Sequence, residues 1–259
     1  MTQVGTGRGR GRSRRYSSLM VTAALVLAAG SGERLGRSLP KAFVQLRGSP
    51  IVLHSLEAMA QVDEVDWVVP VIPAHQSDLW RELALEDEAG AASETLRAKL
   101  CAAVSGGARR QDSVAAGVAA LPATVEWIAV HDAARCLVAR NDVQRVIERA
   151  HEHGAAILAE PARDTIKRVR GGLICETPPR DECWAAQTPQ VFRAEILREA
   201  LAKAKADGME GTDDAQLVER LGVAVRVVES RSPNWKITLP EDLARAERWL
   251  EGAAGGQDS

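Results

Sequence analysis

Apolar residues cluster in short runs that alternate with helical patterns along most of the chain. Val21–Leu27, built from Val, Leu and Ala, reads as a buried strand. Ser49-Pro50 offers a cap and a first-turn proline for a helix over Ile51–Gln61. Val65–Ile72 predicts a second strand, Gln76–Glu86 a second helix, Leu100–Val104 a third strand and Asp112–Leu121 a third helix. Val125–Val130 and Ala155–Ala159 follow as strands on either side of a helix capped by Asn141 and ending near His153. This rhythm predicts an α/β fold: a Rossmann-like, mostly parallel twisted sheet with helices on both faces. In such a sheet ligands sit at the carboxyl ends of strands, which directs attention to the residues after Leu27, Val104, Val130 and Ala159.

The rhythm breaks between Arg163 and Trp184. Ile166–Val169 and Leu173–Cys175 flank the turn pair Gly171-Gly172 and predict a protruding β-hairpin arm. An isolated two-stranded arm is marginal in water, so the arm, taken as 163–184, is expected to pack against a second copy of the chain. Beyond it, Ala194–Ala206 reads as a helix, Thr212 as the cap of a helix over Asp213–Leu221, Val223–Val228 as a late strand and Pro240–Leu250 as a closing helix. The expected organisation is a basic tail over 1–18, one domain over 19–251 and a frayed end over 252–259.

Composition changes this picture little. The chain has 259 residues, 46% apolar and 26% charged, with a formal net charge of −2. It is no polycation, so an anionic ligand has to be met by local Arg and Lys. No run reaches the ~20 apolar residues of a membrane helix. Neither a nucleic acid nor a membrane is expected as partner. Cys101, Cys136, Cys175 and Cys183 match no zinc spacing, and free thiols in a reducing cytoplasm are expected. Five arginines among Gly and Ser before Leu19 have the outline of a signal peptide. A disordered tail is the favoured reading, because the apolar run leads straight into a loop that cleavage would destroy.

That loop runs Leu27-Ala28-Ala29-Gly30-Ser31-Gly32-Glu33-Arg34-Leu35-Gly36, followed by Pro40-Lys41. Small residues let backbone amides approach phosphate oxygens, and Arg34 and Lys41 add two cations. The spacing is GxGxxxG, not the dinucleotide GxGxxG, and no Gly-Lys-Ser/Thr follows to make a P-loop. Asp213-Asp214 reads as a pair of first-turn helix acids, with metal ligation as the alternative. His131 reads as structural. His54, His75, His151 and His153 read as surface or loop residues, and Trp67, Trp127 and Trp249 as core.

The loop resembles the LAAGxGxRxG…PK signature of sugar-nucleotide and related nucleotidyltransferases. Further segments resemble, in order, GGxxRxxSV (Gly106, Gly107, Arg110, Ser113, Val114), VHDAAR (Val130–Arg135), DTxK (Asp164, Thr165, Lys167), TPQ (Thr188–Gln190), TD(E/D) (Thr212–Asp214) and NxKxT (Asn234, Lys236, Thr238). Together, over roughly 21–250, they resemble the 2-C-methyl-D-erythritol 4-phosphate cytidylyltransferases.

The resemblance implies a nucleotidyltransferase (GT-A-like) version of the fold and transfer of CMP from CTP to a polyol phosphate. A ribitol 5-phosphate enzyme is the sister alternative. It implies catalytic roles for Arg34, Lys41, Arg180 and Lys236. It assigns Ala28, Ala29, Gly107 and Ser113 to a cytosine pocket, with Gly30, Gly32 and Arg110 completing the CTP site. Asp132, Arg135, Thr165, Thr188 and Thr212 would bind the acceptor, with Thr165 crossing to the other subunit of a homodimer. Mg²⁺ would be held mainly by CTP phosphates. Two positions depart from the pattern: Ala108, where some relatives carry an acid, and Cys136, where proline is usual and an exposed thiol would be reactive.

Overall fold

The structure is a computed structural model that describes residues 20–29, 40–83 and 91–255. The predicted tail over 1–18, together with Gly30, Gly32 and Arg34, lies outside the described residues. The first buried strand is β1 (Thr22–Leu27). A short pair, β2 (Gln45–Leu46) and β3 (Ser49–Pro50), leads into helix α1 (Ile51–Ala60). Ser49 therefore sits in a strand pair instead of capping α1, and Pro50 takes the cap position without a side-chain hydrogen bond. Strand β4 (Trp67–Ile72), helices α2 (Ser77–Glu82) and α3 (Glu94–Lys99), and strand β5 (Val104–Ser105) follow. Helix α4 (Arg110–Ala120), strand β6 (Trp127–Asp132), helix α5 (Arg140–His153) and strand β7 (Ala155–Pro161) continue the alternation.

The arm is a hairpin of β8 (Arg168–Arg170) and β9 (Leu173–Glu176), with Gly171 and Gly172 both at positive φ in its turn. Then come strand β10 (Trp184–Arg193), helices α6 (Ala194–Ala206) and α7 (Asp214–Glu219), strand β11 (Arg226–Glu229) and helix α8 (Pro240–Gly255). Helix α8 thus continues through 252–255, which the apolar pattern left as a frayed end. Helix α7 is capped by Asp213, whose side chain accepts from the Gln216 N–H, and not by Thr212. Helix α5 is preceded by Ala139 without a side-chain cap, so Asn141 does not serve as one.

Among the described residues the main sheet has seven strands in the order β11-β7-β10-β6-β1-β4-β5. All pairings are parallel except those of β10, which runs antiparallel between β6 and β7. One apolar layer, with α1 and α5, packs on one face and another, with α4 and α6, on the other. Gly117 lets α4 lie close to the sheet, since a Cβ there would stand 3.0 Å from Leu25 and 3.1 Å from Val71. That close approach fixes the height of the α4 N-terminus above the strand ends. Among the described residues no helix is long and apolar enough to cross a membrane.

Cys136 is buried against β2 and α8, and burial pushes its thiol up to about 12. It is not the exposed reactive thiol its proline-replacing position left open. Trp127 belongs to the core, Trp67 packs at its edge, and Trp249 is 47% exposed, contrary to expectation. His131 of β6 is wholly buried, with Nδ1 3.2 Å from the Thr188 hydroxyl of β10.

Burial pushes the His131 imidazole down to about 4, with the Asp132 carboxylate only partly opposing. The unfolded chain binds a proton here near pH ~6.5 and the native chain does not. Stability is therefore complete above ~6.5 and falls as pH drops toward the native value, by about 2 kcal/mol at pH 5. Urea unfolding at pH 7 and pH 5 should show this fall in the natural protein and a clearly smaller one in His131→Gln. Equal falls in both would show that His131 is not buried in its neutral form.

Candidate active site

The order in which strands are added to the sheet reverses between β1 and β6, although the two strands run parallel. From β1 the chain builds outward through β4 to β5, then returns to place β6 on the other side of β1. At this reversal the helices leave in opposite directions and open a crevice at the strand ends. Leu27 and Asp132 are paired there at the carboxyl ends of the two strands. A cleft of about 870 Å³ opens at this point, lined among others by Ala28, Ala29, Lys41, Gly107, Arg110, Ser113, Asp132 and Lys236. Residues from four distant stretches of sequence thus meet at one place.

One side of the cleft is backbone and small side chains. The Ala28 N–H donates to the Val71 carbonyl at 2.8 Å, and the Gly106 N–H to that of Ile72 at 2.7 Å. A Cβ on Gly106 would lie 2.7 Å from the Ala29 Cβ and 2.8 Å from the Ser113 Oγ, so only glycine fits. A Cβ on Gly107 would collide with Asp112. Ser113 Oγ accepts from the Gly107 N–H at 3.1 Å and donates to the Arg109 carbonyl at 3.1 Å. Its hydroxyl therefore shapes the loop. Arg109 packs its guanidinium on Asp112 at 2.8 Å and closes the first turn of α4.

The other side is a line of alternating charges. Lys236 Nζ donates to Asp132 Oδ2 at 2.8 Å, Arg110 Nε to Asp132 Oδ1 at 3.1 Å, and Arg110 Nη2 to Asp214 Oδ2 at 2.9 Å. Burial opposes ionisation of Asp132, but Arg110 and Lys236 overcome it and hold the carboxylate well below the usual range. Asp214 is fully buried, and burial raises its pKa against the pull of Arg110. Burial likewise disfavours the Arg110 charge, yet Asp214 and Asp132 together raise its pKa and keep it charged. With both oxygens of Asp132 occupied, the arrangement presents fixed cations to the cleft instead of a free acid.

Strand β10 supports this line from behind. Thr188 Oγ1 accepts the Asp132 N–H at 3.0 Å. Gln190 Oε1 accepts the Asp214 and Ala215 N–H groups at 3.1 and 3.0 Å, and its amide donates to Asp213 at 2.8 Å. Asn234 donates to Gln187 Oε1 and the Thr188 carbonyl, both at 2.9 Å. Arg135 spends its guanidinium on the Asn234 carbonyl at 2.8 Å and the Ala186 carbonyl at 3.3 Å.

Eight of the candidate residues therefore share one cleft. Thr188 and Arg135 lie behind it as supports. Thr212 is exposed at the start of α7, where its N–H meets Gln216 Oε1 at 2.8 Å, and it does not line the cleft. Thr165 and Arg180 are exposed on the arm and do not line the cleft of their own chain. Sequence reasoning gives no role to Gln190, Asn234 or Gln76, and reads His75 as a surface or loop residue. The last two line the cleft, and nothing in their local pattern marks them. Gln190 and Asn234 stand inside the TPQ and NxKxT segments, which was the available signal.

Comparison with known proteins agrees with this geometry. Residues 22–252 match the family described as IspD, 2-C-methyl-D-erythritol 4-phosphate cytidylyltransferase. A protein of that name from Desulforamulus reducens is 39% identical, covering 88% of this chain and 95% of its own. One from Chromobacterium violaceum is 43% identical, covering 88% and 96%. Among solved structures, the 4-diphosphocytidyl-2C-methyl-D-erythritol synthase of Anaerococcus prevotii superposes with a TM-score of 0.77 at 27% identity, covering 90% of this chain and all of that one. The Thermus thermophilus 2-C-methyl-D-erythritol 4-phosphate cytidylyltransferase does so with 0.67 at 33% identity, covering 88% and 98%. A chain that matches the family over nearly its whole domain, and folds as its solved members do, belongs to the 2-C-methyl-D-erythritol 4-phosphate cytidylyltransferase family.

Proposed function

We propose that this chain transfers CMP from CTP to 2-C-methyl-D-erythritol 4-phosphate and releases pyrophosphate. The observation that carries the reading is the Lys236–Asp132–Arg110–Asp214 line beside a cleft whose other side is Ala28, Ala29 and the Gly106-Gly107 turn. An oxygen of the acceptor phosphate attacks the α-phosphorus, the bond to the bridging oxygen breaks, and pyrophosphate carries away the electron pair. The acceptor is already an anion, so no base is required. The protein's contribution is alignment and charge stabilisation, each cation of this kind supplying ~3 kcal/mol. Lys41 and Arg34 meet the charge that develops on the phosphates, and Lys236 seats the acceptor phosphate. Ala28, Ala29 and the Gly106-Gly107 turn offer backbone and small side chains for the pyrimidine to lie against.

CTP enters as its magnesium complex, with the ion held by phosphate oxygens and water. Both oxygens of Asp132 are engaged by Arg110 and Lys236, so the ion would take its oxygen ligands from the phosphates and water. We infer a cytoplasmic location, where Cys101, Cys136, Cys175 and Cys183 would stay free thiols.

The arm supports a homodimer. Val169, Leu173 and Ile174 are 53%, 75% and 63% exposed, which is a poor arrangement for an isolated hairpin. Covering them with a second subunit would also carry Thr165 and Arg180 to the partner's cleft.

Pyrophosphate release with CTP and Mg²⁺ tests the reading, with 2-C-methyl-D-erythritol 4-phosphate and ribitol 5-phosphate offered separately. Release with the first alone is expected, and release only with the second would reject the acceptor. The arm has its own test. Lys41→Ala should lose at least about a hundredfold in turnover, and Thr165→Ala should weaken acceptor use with CTP binding kept. Subunits of the two variants, mixed and reassembled, should regain activity, because one site of each hybrid combines a sound cleft with a sound arm. No recovery in proven hybrids would place the arm in its own subunit's site.

A further inference from the structure

Lys236 stands on no helix or strand. It lies in the segment 230–239, which joins β11 to α8 without regular structure, yet it holds its ammonium 2.8 Å from Asp132. A segment with no ladder of its own takes its position from hydrogen bonds along its length. At its far end Asp242 Oδ2 accepts the Thr238 and Leu239 N–H groups, both at 2.8 Å. In the middle, Asn234 is tied to β10, and the Ile237 N–H donates to the Ala134 carbonyl at 2.8 Å. At its near end the Ser230 N–H donates to the Ala159 carbonyl of β7 at 2.9 Å, and one carboxylate holds the residues that follow. Asp142 Oδ2 accepts the Arg231 N–H at 3.1 Å, the Ser232 N–H at 3.0 Å and the Ser230 hydroxyl at 3.4 Å. Its other oxygen is held by Arg145, which also donates to the Glu229 carbonyl at 2.7 Å.

Asp142 lies in the first turn of α5, 1% exposed, and does not line the cleft. An acid in a first turn is ordinarily there for the helix dipole. Here one of its oxygens, Oδ2, points instead at three consecutive residues of another segment, 230–232, which end four positions before Lys236. We propose that Asp142 is a positioning residue for the transfer reaction: by pinning residues 230–232 it sets where Lys236 meets Asp132 and the acceptor phosphate. The proposal rests on the reading in which Lys236 seats that phosphate.

Steady-state kinetics of Asp142→Ala, Lys236→Ala, the double variant and Asp142→Asn test it, alongside thermal unfolding. Asp142→Ala should raise the acceptor KM about tenfold and leave the CTP KM within about twofold. Asp142→Asn keeps an oxygen toward the Arg231 and Ser232 amides and should restore most of the loss. In the Lys236→Ala background, adding Asp142→Ala should change the acceptor KM by less than about twofold, because the two act through one contact. If the alanine variant does not fold, Asp142→Ser, whose hydroxyl is too short to span both amides, carries the same expectation. A lowered Tm with unchanged acceptor KM would overturn the proposal, as would equal effects of Asp142→Ala in both backgrounds. If Lys236→Ala itself leaves the acceptor KM unchanged, it is the role of Lys236 that fails. If Lys236→Ala raises it and Asp142→Ala does not, only the role of Asp142 fails.

Discussion

The site depends on a carboxylate that is buried and yet kept ionised. Asp132 stands at the end of the central strand β6 with only 12% of its side chain exposed, bridged by Arg110 on one oxygen and Lys236 on the other. Removing such a group from water costs several kcal/mol unless excellent partners replace the solvent. Here they do, and the cost of burial becomes a constraint on geometry. Arg110 cannot leave Asp132 without also abandoning Asp214, and Lys236 cannot drift without exposing one oxygen of a buried anion. Two long, flexible cations are thereby fixed before any substrate arrives. Preorganised charge of this kind is what an in-line displacement between phosphates requires.

The fold serves that constraint. Strands β1 and β6 bring Leu27, with Ala28 and Ala29 after it, and Asp132 side by side at the point where the strand order reverses. The antiparallel strand β10 then slots between β6 and β7 and carries the polar residues that hold Asp132, Asp214 and the 234–236 segment. Its buried Gln187, Thr188 and Gln190 are an unusual core, tolerated because each finds hydrogen-bond partners.

The parallel half of the sheet was legible in the sequence, because β1, β4 and β7 are continuous apolar runs. Helix α6 has the same limits, Ala194 and Ala206, in pattern and in structure. Strand β10 was not legible. Its ten residues include Pro189 and three polar side chains that face inward, so neither alternation nor an apolar run marks it. Helix α3, capped by Ser93, is one and a half turns long and too short to show a period. At the site, the glycines and cations were visible as motif residues. The second partner of Arg110 was not: Asp214 is an ordinary first-turn acid until the fold buries it beside Arg110. The capping bond at α7 is made by Asp213, one residue after Thr212. Such choices turn on which neighbour of a turn faces inward, which depends on distant contacts.

Steady-state kinetics of Asp132→Asn, with folding checked in parallel, test the central role of the buried carboxylate most directly. The asparagine has the same shape and lacks the charge that fixes Arg110 and Lys236. A folded protein with kcat/KM lowered by at least about a hundredfold is predicted. A folded variant with nearly natural turnover would contradict it, and would mean that the cations find their positions without the acid.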